Sequence, residues 1–212
     1  MAFRSTPPPR RLPAINLPPL TKALLLVMAG VQVLMMLAPA AVERWVVLHF
    51  AFIPAAYGVP GWPVWSLVIA PASYAMLHGN IGHLALNGVM LAVMGQVLER
   101  RLGPIVFLAL FVLGAAGGAV THALLTDTSQ TPLIGASAGV GALYGVGLVL
   151  HRRGLDLGPN SQALVALAGL FVIFNLVGLV LPVLSSVAYA AHLGGFLAGA
   201  LAAAWLRLPG VR

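Results

Sequence analysis

Six long apolar stretches, separated by short gaps with proline, glycine and charge, dominate the hydropathy pattern of the chain. They are residues 23–41, 80–98, 104–125, 134–151, 162–182 and 188–206. Each approaches the ~20 apolar residues that an α-helix needs to cross a bilayer core. No alternation of period two runs through them, which argues against transmembrane β-strands. The pattern therefore predicts an all-α polytopic membrane protein, built as a bundle of six transmembrane helices.

Composition indicates the same class of protein. Of the 212 residues, 60% are hydrophobic and only 7% are charged, whereas soluble domains carry about 25% charged residues. So few charges cannot cover a water-facing surface. Disorder, a coiled coil and nucleic-acid binding are therefore excluded, the last despite a net charge of +7. The absence of cysteine excludes disulfides, thiolate metal sites and cysteine nucleophiles.

Basic residues predict the orientation of the spans, because cytoplasmic loops of membrane proteins carry an excess of Lys and Arg. With six spans, all but one of the 11 Lys and Arg residues fall on the same side, and the exception is Arg44. The others are Arg4, Arg10, Arg11, Lys22, Arg100, Arg101, Arg152, Arg153, Arg207 and Arg212. We therefore expect a multi-pass protein of the bacterial inner membrane with both termini in the cytoplasm.

The N-terminal part divides into a tail and a first span. Residues 1–19 are rich in proline and arginine, which predicts a disordered cytoplasmic tail before one membrane domain over residues 20–212. The first span ends in Ala-Pro-Ala-Ala at residues 38–41, which resembles a signal-peptidase site. Its apolar run of about 20 residues exceeds the roughly 7–15 of a signal core. We therefore expect this segment to be retained as a transmembrane helix.

The outer segment between the first two spans, residues 42–79, is long, aromatic and interrupted by four prolines: Pro54, Pro60, Pro63 and Pro71. Aromatic rings favour the headgroup level of a membrane, and prolines end helices. We expect short helical pieces that lie in or on the outer leaflet.

Four polar residues in three spans are candidates for chemistry, because polar side chains inside a membrane are costly and are functional candidates by default. His83 and Asn87 lie four residues apart on one face of the second span. Ser137 lies near the start of the fourth span, and His192 about four residues into the sixth. At ~1.5 Å per residue, His83, Ser137 and His192 lie within ~10 Å of the outer surface, and Asn87 one turn deeper. This layer offers a nucleophile, a base and oxyanion donors.

Glycines next to Ser137 and His192 would let their helices approach closely. They are Gly135, Gly139, Gly141, Gly195 and Gly199. A direct hydrogen bond between Ser137 and His192, of ~2.6–3.2 Å, requires such an approach.

Acidic residues are missing from the predicted spans, and no His-Glu-x-x-His motif occurs, which excludes aspartyl and zinc membrane proteases of the known types. We expect neither a metal nor another cofactor. Glu99 and Asp156 lie on the inner side, away from the predicted site. We therefore expect a dyad of Ser137 and His192, with the imidazole held by packing against the serine helix. Asn175, in the middle of the fifth span, should form an interhelical hydrogen bond.

Three spaced motifs in this order resemble those of the rhomboid intramembrane serine proteases. They are His78-x4-His83-x3-Asn87, Gly135-x-Ser137 and Ala191-His192-x2-Gly195-x3-Gly199. The resemblance implies a six-transmembrane-helix rhomboid-like bundle and a serine-type endopeptidase. Its substrates would be transmembrane or juxtamembrane segments of single-span membrane proteins.

The same resemblance implies roles for individual residues. Ser137 would be the nucleophile and His192 its general base. His83 and Asn87 would donate hydrogen bonds to the oxyanion, together with the backbone N–H of Ser137. His78 would be a structural or gating residue near the outer opening.

Other positions match or depart from the family. Glu99 and Arg101 resemble its Glu-x-Arg motif, which implies that they tie the inner end of the second span to neighbouring backbone. Ala138 stands where the family usually has glycine, so we expect its methyl near the oxyanion hole. Gly141 stands where many members have an aromatic residue, so we expect His192 to be less supported.

Two other functions remain open on the sequence alone. A catalytically impaired rhomboid pseudoprotease would bind membrane helices without cleaving them, and the departures at Ala138 and Gly141 favour it mildly. A small transporter could use the histidines to line a path, but the spans lack acidic residues and internal repeats.

Overall fold

A computed structural model describes residues 16–126, 130–158, 161–181 and 187–207. These residues form eight α-helices, with short 3-10 turns at Pro54–Gly58 and Tyr74–Met76. The helices are α1 (Pro19–Leu37), α2 (Ala40–Phe50), α3 (Val64–Ser73), α4 (Ile81–Leu102), α5 (Pro104–Leu125), α6 (Ser137–Arg152), α7 (Ser161–Val180) and α8 (Tyr189–Trp205). Most of the tail predicted for residues 1–19 lies outside the described residues.

Each of the six predicted spans overlaps one helix of the bundle, although the bounds differ by up to four residues. This agreement confirms an all-α membrane bundle. Helices α1, α4, α5 and α7 have 19 to 22 residues and are long and apolar enough to cross a membrane. Helices α6 and α8 are shorter, with 16 and 17 residues. Helix α6 begins at Ser137 instead of the predicted residue 134, because Gly135 has a φ of +113°, a conformation outside the helical region.

The two shorter helices pack against each other at the centre of the bundle with almost no side chains between their backbones. A Cβ atom on Gly195 would lie 2.1 Å from the carbonyl oxygen of Ala138, and one on Gly199 equally close to that of Ala142. A Cβ atom on Gly145 of α6 would meet α8 in the same way. These contacts confirm that the glycine-rich faces predicted from the sequence bring α6 and α8 together.

The inner end of α4 is tied to the start of α1 by Glu99, as the sequence resemblance implied. Its carboxylate accepts hydrogen bonds from the backbone N–H groups of Leu20 and Thr21 and from the Thr21 hydroxyl, at 2.9, 2.7 and 2.6 Å. The first N–H groups of a helix lack intrahelical acceptors, so Glu99 caps α1. The expectation for Arg101 is wrong, because its side chain pairs with Asp156 at 3.6 Å instead of with backbone.

Residues 42–79 form short helical pieces, as predicted. Helices α2 and α3 and the two 3-10 turns follow one another, and the rings of Trp45, His49 and Trp65 stack with centroids 4.8 and 5.5 Å apart. The segment is joined to the bundle by Tyr74, whose buried hydroxyl donates to the carbonyl of Ala115 in α5 at 2.9 Å. This contact holds the end of the segment against α5.

Candidate active site

The loop before Ser137 is held by backbone hydrogen bonds to the segment 42–79. Leu133 and Phe52 exchange N–H···O bonds of 2.9 and 3.2 Å in an isolated antiparallel bridge. The N–H of Gly135 donates to the carbonyl of Tyr74 at 3.0 Å. Three backbone hydrogen bonds therefore hold the loop that leads into α6, which begins at Ser137.

His83 and Asn87 of α4 converge on the same loop. A Cβ atom on Gly135 would lie 2.6 Å from Nε2 of His83 and 3.7 Å from Nδ2 of Asn87. Only glycine fits there, both for this contact and for its positive φ. Asn87 is buried, and its amide donates to the carbonyl of His83 one turn earlier at 3.1 Å. Asn80 caps the helix by accepting from the N–H of His83 at 2.8 Å.

His78 packs edge-on against His83, with ring centroids 5.1 Å apart. The residue is buried in the turn before α4. Burial, and to a smaller extent the neighbouring His83, lower the pKa of His78 to about 4. His78 is therefore uncharged near pH 7, which suits the structural role that the resemblance implied.

His192 lies in α8, and its imidazole makes a hydrogen bond to α7. Its Nδ1 lies 2.7 Å from Oδ1 of Asn175, and the amide nitrogen of Asn175 donates to the carbonyl of Phe171 at 2.7 Å. The interhelical hydrogen bond predicted for Asn175 is confirmed. The expectation that packing against the serine helix holds the imidazole is incomplete, because a side chain of α7 holds it as well.

An aromatic ring from α7 fills the space beside Gly141. The ring of Phe171 lies 5.8 Å from that of His192 and stacks on Tyr144 at 5.4 Å. A Cβ atom on Gly141 would lie 3.0 Å from Cζ of Phe171 and 3.0 Å from the carbonyl oxygen of His192. The expectation that Gly141 leaves His192 less supported is therefore wrong, because Phe171 supplies the ring from another helix.

Ala138 does not direct its methyl as the sequence suggested. Its side chain is buried against α5, where a Cβ atom on Gly118 would lie 2.5 Å from that of Ala138. The methyl lies in the interface between α5 and α6, so the expectation that it lies near the oxyanion hole is wrong.

Ser137 and His192 lie on helices in backbone contact, since Ala138 and Gly195 touch and each is close in sequence to one of them. Within the described residues, no hydrogen bond joins the side chains of Ser137 and His192. Such bonds are often long or poorly aligned until a substrate is bound. The two residues thus occupy neighbouring helices beside the converged His83 and Asn87, so all four candidate residues lie around the start of α6.

Asn175 is the functional candidate whose role the sequence did not resolve. A lone amide in the middle of an apolar helix was the available signal. Its partner depends on how α7 is rotated and tilted against α8, and no spacing along the chain encodes that.

Comparisons with known proteins bear on the family of the chain. Residues 62–209 match the family model of the Rhomboid domain. The chain is 32% identical to RHOMBOID-like protein 12, mitochondrial, of Arabidopsis thaliana over 151 residues, covering 63% of this chain and 44% of that protein. It is 30% identical to Rhomboid protease AarA of Providencia stuartii over 145 residues, covering 59% and 51%. The matched region spans about half the length of these relatives or less. Because the family model covers well over half of the chain, together with all four candidate residues, the protein belongs to the rhomboid family.

Proposed function

We propose that the protein is an intramembrane serine endopeptidase that cleaves transmembrane or juxtamembrane segments of single-span membrane proteins. The observation that carries the proposal is the convergence at the start of α6. His83 and Asn87 reach its loop from α4, and His192 lies on α8, which touches α6 directly. The similarity of the chain to a protein named Rhomboid protease AarA supports the same class of reaction.

In the first step, Oγ of Ser137 attacks the carbonyl carbon of the scissile peptide bond while Nε2 of His192 takes the hydroxyl proton. The oxyanion that forms accepts hydrogen bonds from the side chains of His83 and Asn87 and from the N–H of Ser137. Ser137 is the first residue of α6, so its N–H has no intrahelical acceptor. The positive end of the helix dipole further stabilises negative charge there.

In the following steps, His192 gives its proton to the leaving amine, the C–N bond breaks, and an acyl-enzyme on Ser137 remains. Water then attacks the ester carbon while His192 takes a proton from it. Collapse of the second tetrahedral intermediate returns the proton to Ser137 and releases the carboxylic acid.

The substrate must present an extended stretch, because the peptide bonds of an intact helix are shielded by their own turns. Glycine, proline or polar residues near the cleavage point make unwinding easier. The family resemblance further implies that the substrate has a small residue before the scissile bond. Ser137 is residue one of α6 and His192 is residue four of α8, so the site lies within ~10 Å of the helix ends, where water can enter.

The site end of the bundle would face away from the cytoplasm. Glu99 lies 16 residues after His83 in α4, which separates the basic end from the site by about 24 Å along the helix. The positive-inside rule would place the basic end and both termini in the cytoplasm of a bacterium. Because the chain has no cysteine, the single variants Asp156→Cys and Gln130→Cys can test this with an impermeant thiol reagent. We expect labelling of Gln130→Cys in intact cells and of Asp156→Cys only after lysis; the opposite pattern would reverse the topology.

The activity itself is tested with purified protein in detergent and a single-span substrate that carries a glycine near the membrane surface. We expect one cleavage by the wild type and none by Ser137→Ala or His192→Ala, while Ser161→Ala, a serine at the start of α7, cleaves normally. A fluorophosphonate probe should label Ser137 in the wild type, since it reports an activated serine without a substrate. A wild type that binds the substrate but shows neither cleavage nor labelling would be a pseudoprotease, and the proposal would be wrong.

A further inference from the structure

A buried amide joins two helices at the candidate base. Asn175 of α7 has no exposed surface, and both polar atoms of its side chain have partners. The nitrogen donates to the carbonyl of Phe171 at 2.7 Å, and the oxygen lies 2.7 Å from Nδ1 of His192. The amide therefore occupies the same place relative to the histidine as the third member of a catalytic triad.

The chemistry of the three groups fixes the position of the protons. The carbonyl of Phe171 can only accept a hydrogen bond, so it must face the NH₂ of Asn175. The amide oxygen then faces His192, and because this oxygen also only accepts, Nδ1 of His192 must carry hydrogen. In the neutral imidazole the lone pair is consequently on Nε2.

We propose that Asn175 is a positioning residue that holds His192 in the tautomer and ring orientation needed for general-base catalysis. This inference rests on the proposed function, because only an Nε2 without hydrogen can take the proton of Ser137. Ser137, His192 and Asn175 then act as a triad whose orienting group is a neutral amide, in place of the dyad expected from the sequence.

Helix α7 supports the imidazole in a second way. Phe171 lies one turn before Asn175, so both side chains lie on the face of α7 that meets α8. Its ring packs against that of His192, and the glycine at position 141 leaves the space that the ring needs. One turn of α7 thus supplies both a hydrogen-bond acceptor and an aromatic contact to the base.

A purely structural role for Asn175 predicts different behaviour, and α1 offers a matched control. Gln32 is also an amide buried within a transmembrane helix, at 7% exposure, and its helix, α1, contributes none of the candidate residues. Replacing either residue by leucine removes the buried amide and leaves an apolar side chain of similar size. Only the Asn175 variant should affect His192.

The first experiment reads the tautomer directly and requires no activity. The full chain is labelled with ¹⁵N-histidine in micelles, and the signal of His192 is assigned among the six histidines by its loss in His192→Gln. We expect a neutral ring protonated at Nδ1 in the wild type and in Gln32→Leu, and a mixture of tautomers in Asn175→Leu. Protonation at Nε2 in the wild type, or an unchanged tautomer in Asn175→Leu, would overturn the proposal.

The second experiment separates turnover from binding. In Asn175→Leu we expect kcat to fall roughly 10- to 100-fold while KM changes less than about threefold, because the base is disoriented but the binding surface is intact. Asn175→Asp keeps an acceptor for Nδ1–H and should retain kcat within about tenfold of the wild type. Turnover of Asn175→Leu within threefold of the wild type, or a loss in Asn175→Asp as large as in Asn175→Leu, contradicts a positioning role.

The two experiments fail separately. If the wild type cleaves nothing, the proposed function is wrong, and the NMR measurement still decides whether Asn175 sets the tautomer. If Asn175→Leu does not fold, the tautomer in the wild-type spectrum and the turnover of Asn175→Asp decide whether Asn175 positions His192. If the wild type cleaves and its His192 is protonated at Nε2, only the role of Asn175 is refuted.

Discussion

Replacing Glu99 by glutamine tests how α1 is attached to the bundle. The carboxylate is only 4% exposed, and it accepts one hydrogen bond on Oε1 and two on Oε2. In Glu99→Gln the best arrangement turns the new NH₂ toward the N–H of Leu20 and keeps the two bonds to Thr21. One bond to a charged acceptor is then lost and the charge on the other two disappears.

The expected losses in the free energy of unfolding follow from these hydrogen bonds. A hydrogen bond to a charged group contributes about 1.5–3 kcal/mol, so Glu99→Gln should lower the free energy of unfolding by about 2–3 kcal/mol. Glu99→Ala removes all three bonds and the packing of the side chain, and should cost about 3–5 kcal/mol. Thr21→Val removes only the hydroxyl donor and should cost about 1.5–3 kcal/mol.

The assay is equilibrium unfolding in mixed micelles, with α1 followed separately by hydrogen exchange of its first turn. Glu43→Gln is the control, because Glu43 lies exposed in the first turn of α2 and its loss should change stability by less than about 1 kcal/mol. Combining Thr21→Val with Glu99→Ala should add almost nothing to Glu99→Ala alone. A Glu99→Gln variant within 0.5 kcal/mol of the wild type, taken as roughly the noise of a surface substitution, would show that the cap contributes nothing.

Three further predictions concern the start of α6. Asn87→Ala should lower turnover by roughly 100-fold or more, as loss of one oxyanion donor does, with a small effect on stability; a change below about threefold in a cleavage assay would make Asn87 structural. Gly135→Ala should abolish cleavage and disturb the His83 ring, because a Cβ atom there would lie 2.6 Å from the imidazole at a φ of +113°; an active variant with unchanged His83 NMR shifts would refute this. Ala138→Gly should lower the unfolding free energy by about 1–2 kcal/mol through lost packing and helix propensity. Cleavage per folded molecule should stay within about threefold of the wild type. A large loss of activity would mean that the methyl does contribute to the oxyanion site.

Local properties of the chain were predictable from the sequence because they depend on neighbours in sequence. Hydropathy located the six long helices, and the four-residue spacing of His83 and Asn87 placed them on one helix face. Depth could be counted from the rise per residue, so Ser137 and His192 were expected near the same end of the bundle. The glycines beside them indicated a close helix contact, which the packing of α6 on α8 confirms.

Departures from the family pattern were harder to interpret, because each was judged by what stands next to it in the sequence. Gly141 suggested a missing support for His192, but Phe171 of α7 occupies that space. Ala138 suggested a crowded oxyanion site, but its methyl lies against Gly118 of α5. In both cases the neighbour that decides the outcome lies on another helix.

By itself, then, the sequence determined the class of protein, the number of long helices, and the residues that could supply a nucleophile, a base and oxyanion donors. Only the tertiary structure decided that Asn175 accepts a hydrogen bond from His192, that the backbone bound by Glu99 is the start of α1, and that α7 contacts His192. The physical reason is that apolar periodicity and helix rise are properties of one segment. The rotation of each helix about its axis, and hence the partner of each side chain, results from packing all the helices together.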